Sequence, residues 1–118
     1  MMDEGSRGQS PIFSKSYDYI LWLLNNTEGY PKSERFRLAK RLEDSALNLY
    51  ETLIRTTRTK EKREMLLRAD FELERLRFYT RIAHDRRLIN PKQYRYASGL
   101  LVEIGKLLGG WLKSLPGP

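Results

Sequence analysis

Arg77 and His84 lie seven residues apart in the stretch Arg77-Phe-Tyr-Thr-Arg81-Ile-Ala-His84-Asp85, so a helix would place them on one face. A guanidinium beside an imidazole can hold a phosphate and move a proton. Cleavage of RNA by attack of its own 2′-hydroxyl needs both. Two copies of the pair, brought together by two subunits, would be required. The competing role for His84 is structural: it borders a helix seam near the helix end and bonds Asp70, Asp85 or a backbone carbonyl. That role is preferred, because no second catalytic group is clearly placed beside the histidine.

The other candidate groups point away from catalysis. Asp70 and Glu74 share a face with Arg77 and Arg81, which fits ion pairing along a solvated helix rather than metal binding. Gly105, Gly109 and Gly110 fall within or at the end of a helical pattern, not after a strand, so no phosphate-cradling loop exists. With no cysteine and one histidine, the chain cannot build a thiolate or His-based zinc site. No cofactor is expected.

What remains is charge. The 118 residues carry 22 Lys and Arg against 15 Asp and Glu, a formal net charge of +7. Such a surplus favours an anionic partner. Arg37, Arg41, Arg55 and Arg58 fall on the polar side of the second helical pattern, continued by Lys60, Lys62 and Arg63; Arg68, Arg75, Arg81, Arg86 and Arg87 belong to the third. Most are arginines, whose planar fork suits phosphate. The set Arg37, Arg41, Arg55, Arg58, Lys60, Arg68, Arg75, Arg81, Arg86 and Arg87 is the candidate surface for nucleic acid or a partner protein. Tyr17, Trp22, Tyr50, Tyr79, Tyr94, Tyr96 and Trp111 fall mostly on seams, which assigns them to core packing. Few aromatics are then left exposed, so phosphates are expected to be met rather than bases read.

These residues must be positioned by helices, because no run alternates with period two between turn residues. The expected fold is all-α, an up-down-up-down four-helix bundle over residues 15–114, with tails at 1–14 (disordered) and 115–118. The first helix, residues 15–27, is apolar nearly all round from Tyr17 to Leu24 and therefore asks for burial on every side, which in so small a protein points to a second subunit. The second begins near Pro31-Lys-Ser33 and runs to about residue 58, with Phe36, Ala39, Leu42, Ala46, Leu49 and Leu53 as its apolar face. Lys40–Asp44 and Glu51–Arg55 are spaced to pair along it.

The third helix, residues 60–87 with Thr59 as cap, has the seam Leu66, Ala69, Leu73, Leu76, Thr80 and Ala83. A second stripe on it, Leu67, Phe71, Phe78 and Ile82, needs a second surface. Together with Trp22 it forms the expected subunit contact. The fourth helix opens on Asn90-Pro91-Lys92-Gln93, a cap followed by Pro and a reciprocating Gln, and has the seam Tyr94, Ala97, Leu101, Ile104, Leu108 and Trp111. Ser98, Gly105 and Gly109 lie on one flank, where small residues let another helix come close. No stretch approaches the ~20 apolar residues of a membrane span. Residues 1–10 lack the apolar centre of a secretory signal, so the expected location is cytoplasmic.

Several stretches carry a resemblance: Tyr17-Asp-Tyr-Ile-Leu-Trp-Leu-Leu24, Tyr30-Pro-Lys-Ser-Glu-Arg-Phe36, Leu66-Leu-Arg-Ala-Asp70 with Leu73-Glu-Arg-Leu-Arg77, Arg81-Ile-Ala-His-Asp85 and Ile104-Gly-Lys-Leu-Leu-Gly-Gly-Trp111. In order and spacing the chain resembles the accessory variability determinant proteins of diversity-generating retroelements. These belong to a broader group of four-helix-bundle proteins that includes those encoded in ribosomal RNA intervening sequences. The resemblance implies a barrel-shaped homopentamer without enzymatic activity of its own. It also implies association with a reverse transcriptase and template RNA in support of mutagenic cDNA synthesis. It carries no binding motif over residue by residue, so the basic residues above rest on charge alone. Two readings stand beside it. Arg77 and His84 resemble the Arg-x(4–6)-His motif of HEPN-type ribonucleases, and a structural interaction protein without a nucleic-acid role would also fit the bundle.

Overall fold

Apolar residues recurring at steps of three and four can all be buried only if the chain coils as a helix. The computed structural model, which describes residues 10–117, carries four: α1 (Ser10–Thr27), α2 (Leu38–Thr56), α3 (Lys62–Asp85) and α4 (Pro91–Ser114), with one 3-10 turn at Lys32–Glu34 and no strand among the described residues. Each helix packs on the next, and α4 closes against α1, so the four form a square around one core. The expected bundle is the observed one. No described helix is long and apolar enough to cross a membrane.

The α3 seam is buried throughout, at Leu66, Ala69, Leu73, Leu76, Thr80 and Ala83. Leu42, Ala46, Leu49 and Leu53 of α2 face it, as do Ala97, Leu101, Ile104 and Leu108 of α4. Each fully buried leucine contributes roughly 1.5–3 kcal/mol. Thr80 is the one polar member of the α3 seam, and its hydroxyl meets the buried Tyr19 hydroxyl of α1 at 3.3 Å. That bond ties α1 to α3 and satisfies two groups that would otherwise be costly to bury.

The ends follow the local chemistry. Asn90 Oδ1 accepts from the Gln93 N–H at 2.7 Å, and the Asn90 N–H donates to Gln93 Oε1 at 2.8 Å, with Pro91 in the first helical position, so the expected capping box is formed. At the end of α3 the Leu88 N–H reaches the Ala83 carbonyl and the Arg87 N–H the His84 carbonyl. This is a Schellman closure, and it forces Arg87 to φ 62°.

Several expectations need correction. Helix α1 starts at Ser10, not near residue 15, and Ile12 and Phe13, assigned to the tail, are buried core residues. The rest of that expected tail, residues 1–9, lies outside the described residues. Within one chain α1 is left open at Tyr17, Leu21 and Leu24. Pro31-Lys-Ser33 opens the 3-10 turn rather than α2. The chain then breaks at Arg37 (φ −111°, ψ −99°) before α2 begins. Phe36 therefore drops out of the seam and is 83% exposed. Helix α3 starts two residues later than expected; Thr59 Oγ1 instead accepts from the Glu61 N–H at 3.1 Å, one turn ahead of it. On the small-residue flank of α4, Gly105 admits α3 closely, making room for the Arg77 guanidinium and the Leu73 side chain, whereas Gly109 faces open space within the chain.

Candidate nucleic-acid and partner surface

Helices α2 and α3 share the bundle's most extensive interface, and their outer edges carry most of the candidate arginines. At the end nearer the 3-10 turn, Arg37 and Arg41 of the α2 start meet Phe78, Tyr79 and Ile82 of α3, with Phe36 beside them, in an open groove of about 570 Å³. Arg75 lies one turn along α3 from Tyr79. Its Nη2 donates to the Tyr79 hydroxyl at 3.3 Å, and its guanidinium carbon sits 5.7 Å from the Tyr79 ring and 5.9 Å from the Phe71 ring. Burial pushes the Tyr79 phenol up, but the hydrogen bond from Arg75 and the proximity of Arg41 outweigh it and leave the phenol below its ordinary value. Arg41 and Arg75 thus flank the Tyr79 hydroxyl.

At the other end of the same two helices, Arg55 and Arg68 line a second groove with Asn48, Glu51, Glu64, Leu67 and Phe71. Arg68 is held by Glu64 at 3.0 Å. The expected Glu51–Arg55 pair is not formed; Lys40–Asp44 is, at 2.9 Å. Arg58 and Lys60 are exposed in the turn that joins α2 to α3. Arg81 sits 3.9 Å from Asp85 on the outer face of α3.

Arg86 has a different task from the rest of the set. Its Nη2 bonds the carboxylate of Glu34, whose side chain is 4% exposed, so it fastens the 3-10 turn to the end of α3. Arg37 approaches the same carboxylate at 4.0 Å. Charge placement on a linear sequence could not reveal this pairing, because the two residues are 52 positions apart.

Arg77 and His84 are engaged separately within one chain. Arg77 bonds Glu74 at 2.9 Å and rests against Gly105 in the middle of α3. His84 stacks on Tyr94 of α4, ring centroids 4.3 Å apart and 12° from parallel, two turns farther along. Its Nδ1 lies 3.6 Å from Asp85 Oδ1. Within one chain the two side chains serve separate packing roles. No cluster of three or more His, Cys, Asp or Glu side chains able to hold a metal occurs among the described residues.

The apolar residues assigned to a subunit contact divide. Leu67, Phe71 and Phe78 are exposed, Ile82 is half-buried, and Trp22 packs against Tyr96 at 5.8 Å. Helix α1, whose all-round apolar surface also asks for a second subunit, leaves Tyr17, Leu21 and Leu24 exposed, and on α2 Leu47 and Ile54 are exposed as well. The expectation of few exposed aromatics fails. Tyr17, Tyr96, Phe36, Phe71 and Phe78 are each at least half exposed.

A family model described as bAvd-like matches residues 12–115. The chain belongs to the bAvd-like family. The bAvd-like match takes in α1 from its third residue and the whole of α2, α3 and α4, leaving out residues 1–11 and 116–118. Among solved structures, this bAvd-like chain is similar to a protein of unknown function from the S23 ribosomal protein family of Bacteroides thetaiotaomicron. The TM-score is 0.77 at 16% identity, over 87% of this chain and 99% of the other. At that identity the likeness is one of fold. No curated protein matches the sequence.

Proposed function

We propose that this bAvd-like protein is a non-catalytic accessory factor of a diversity-generating retroelement, one that binds nucleic acid through its basic α2–α3 surface and associates with the element's reverse transcriptase. Family membership supports the biological setting. The observation that carries the binding is the Arg37, Arg41 and Arg75 cluster around Tyr79, which leaves a positive groove open to a phosphate chain. Such binding is dominated by counterion release, so affinity falls with salt with a log–log slope growing by about 0.7 to 0.9 per phosphate neutralised. Held beside a polymerase, the surface would retain template RNA without entering the chemistry.

The working unit is a closed homo-oligomer, with five subunits as the family resemblance implies. Surplus apolar surface supports association. The Tyr17, Leu21, Leu24 stripe and Leu47 with Ile54 bear no cation among them, so two such faces can meet without repulsion, whereas the arginine-lined α3 stripe cannot do so as readily.

The test is anisotropy titration of labelled RNA and DNA against salt, with the purified protein and its Arg37→Glu/Arg41→Glu variant. The expected result is steep salt dependence in the native protein and a clear loss of affinity in the variant, with helical spectrum and oligomer size unchanged. Salt-insensitive binding sinks the electrostatic reading. Failure to co-purify with the neighbouring reverse transcriptase removes the retroelement assignment and leaves the bundle alone.

A further inference from the structure

Phe36 is 83% exposed and Phe78 61% exposed, and both line the groove that also holds Arg37 and Arg41. Exposing one phenylalanine is ordinary; placing two beside arginines in one groove is a specific chemical arrangement. Phe36 is not on a loose loop. Glu34, two residues before it, is buried and held by Arg86, and Leu38, two residues after it, is buried in the core. The break at Arg37 turns the ring out of the α2 seam between those two anchors. Phe78 is set by the opposite means, on the outer face of a regular helix, with its ring 5.7 Å from that of Tyr79.

We infer that this groove is a stacking site for unpaired bases of single-stranded nucleic acid, with Phe36 and Phe78 as platforms and Arg37, Arg41 and Arg75 meeting the adjoining phosphates. The inference rests on the nucleic-acid reading above and narrows it. An apolar protein partner would have to bury three guanidiniums while offering them no carboxylate, and within the chain Arg37 and Arg75 have only the loose neighbours Glu34 at 4.0 Å and Glu72 at 3.9 Å. A second copy of the same face would set cation against cation. An acidic protein would satisfy the arginines and leave two large rings in water. A single strand offers a flat π-face and a negative charge at every nucleotide, the combination that aromatic–arginine grooves fit, and a duplex keeps its bases out of reach.

The experiment titrates the full-length protein, by anisotropy, with labelled oligo-U and oligo-dT 20-mers and with a duplex of the same length. Phe36→Leu/Phe78→Leu removes the π-faces while keeping apolar bulk; Arg41→Gln removes one phosphate contact. Single strands should bind more tightly than duplex. The double leucine variant should lose about tenfold or more of single-strand affinity, with its salt slope and duplex affinity unchanged. Arg41→Gln should instead lower the salt slope by about 0.7. If the leucine variant binds single strands within twofold of the native protein, or its oligomer size changes in light scattering, the groove is not a base site. If the native protein binds neither nucleic acid, the broader reading falls as well.

Discussion

At the scale of single residues, two neighbouring arginines do opposite work. Arg86 compensates a buried carboxylate; Arg87 occupies the left-handed position of a Schellman closure that glycine fills without cost. Substitution should therefore move stability in opposite directions. Arg86→Ala leaves Glu34 buried without its hydrogen-bond donor and should cost about 1–3 kcal/mol. Arg87→Gly relieves the backbone and should be neutral or add up to ~1 kcal/mol. Urea unfolding of both variants beside the native protein checks the pair, and a stabilised Arg86→Ala would refute the account of Glu34. Neither role is legible in the sequence. The Glu34 pairing joins positions far apart in the chain, and a charged residue at a glycine position carries no mark of its conformation. Arg77 and His84 show the same limit in reverse. Their spacing is compatible with one helix face, yet Glu74 and Gly105 claim one side chain and Tyr94 claims the other.

At the scale of elements, what was legible is what repeats or caps locally. The α3 seam reads directly from steps of three and four over six buried residues, and Asn90-Pro91-Lys92-Gln93 specifies the start of α4 without tertiary help. The start of α2 was not legible. Phe36 continues the apolar period backwards from Ala39, but the period holds only where the backbone stays helical, and the chain breaks at Arg37. The start of α1 was misplaced because Ile12 and Phe13 follow a polar stretch, although Ser10-Pro11 is itself a helix-start signal. Phe13 puts this boundary to a test. Its ring lies 5.6 Å from Tyr50 and 6.5 Å from Trp111, where it joins α1 to α2 and α4. Phe13→Ala should cost about 3 kcal/mol or more in denaturant unfolding. A tail residue would cost nothing.

At the scale of the whole molecule, stability should depend on pH chiefly at the alkaline end, and two tyrosines decide it. Burial raises the Tyr30 phenol to about 12, with Glu34 and Glu43 adding to the shift, and burial raises the Tyr19 phenol further still, against the smaller opposing effect of its Thr80 bond. In the unfolded chain both ionise near their ordinary value of about 10. The unfolded state therefore sheds protons first, and the folded state is disfavoured as pH rises. The stabilisation is fully present below about pH 10 and is lost as pH climbs toward and past 12, by up to ~1.4 kcal/mol per pH unit for each tyrosine. The Lys40–Asp44 and Lys15–Glu103 ion pairs are exposed and worth only about tenths of a kcal/mol, so the tyrosines win. Tyr19→Phe forfeits the Thr80 bond and should lower stability by about 1 kcal/mol at neutral pH. Its decline above pH 10 should nevertheless be shallower than that of the native protein, and Tyr19→Phe/Tyr30→Phe shallower again. Urea midpoints from pH 8 to 11.5 measure the three slopes. If the double variant falls as steeply as the native chain, the alkaline limit lies elsewhere than in these two buried phenols.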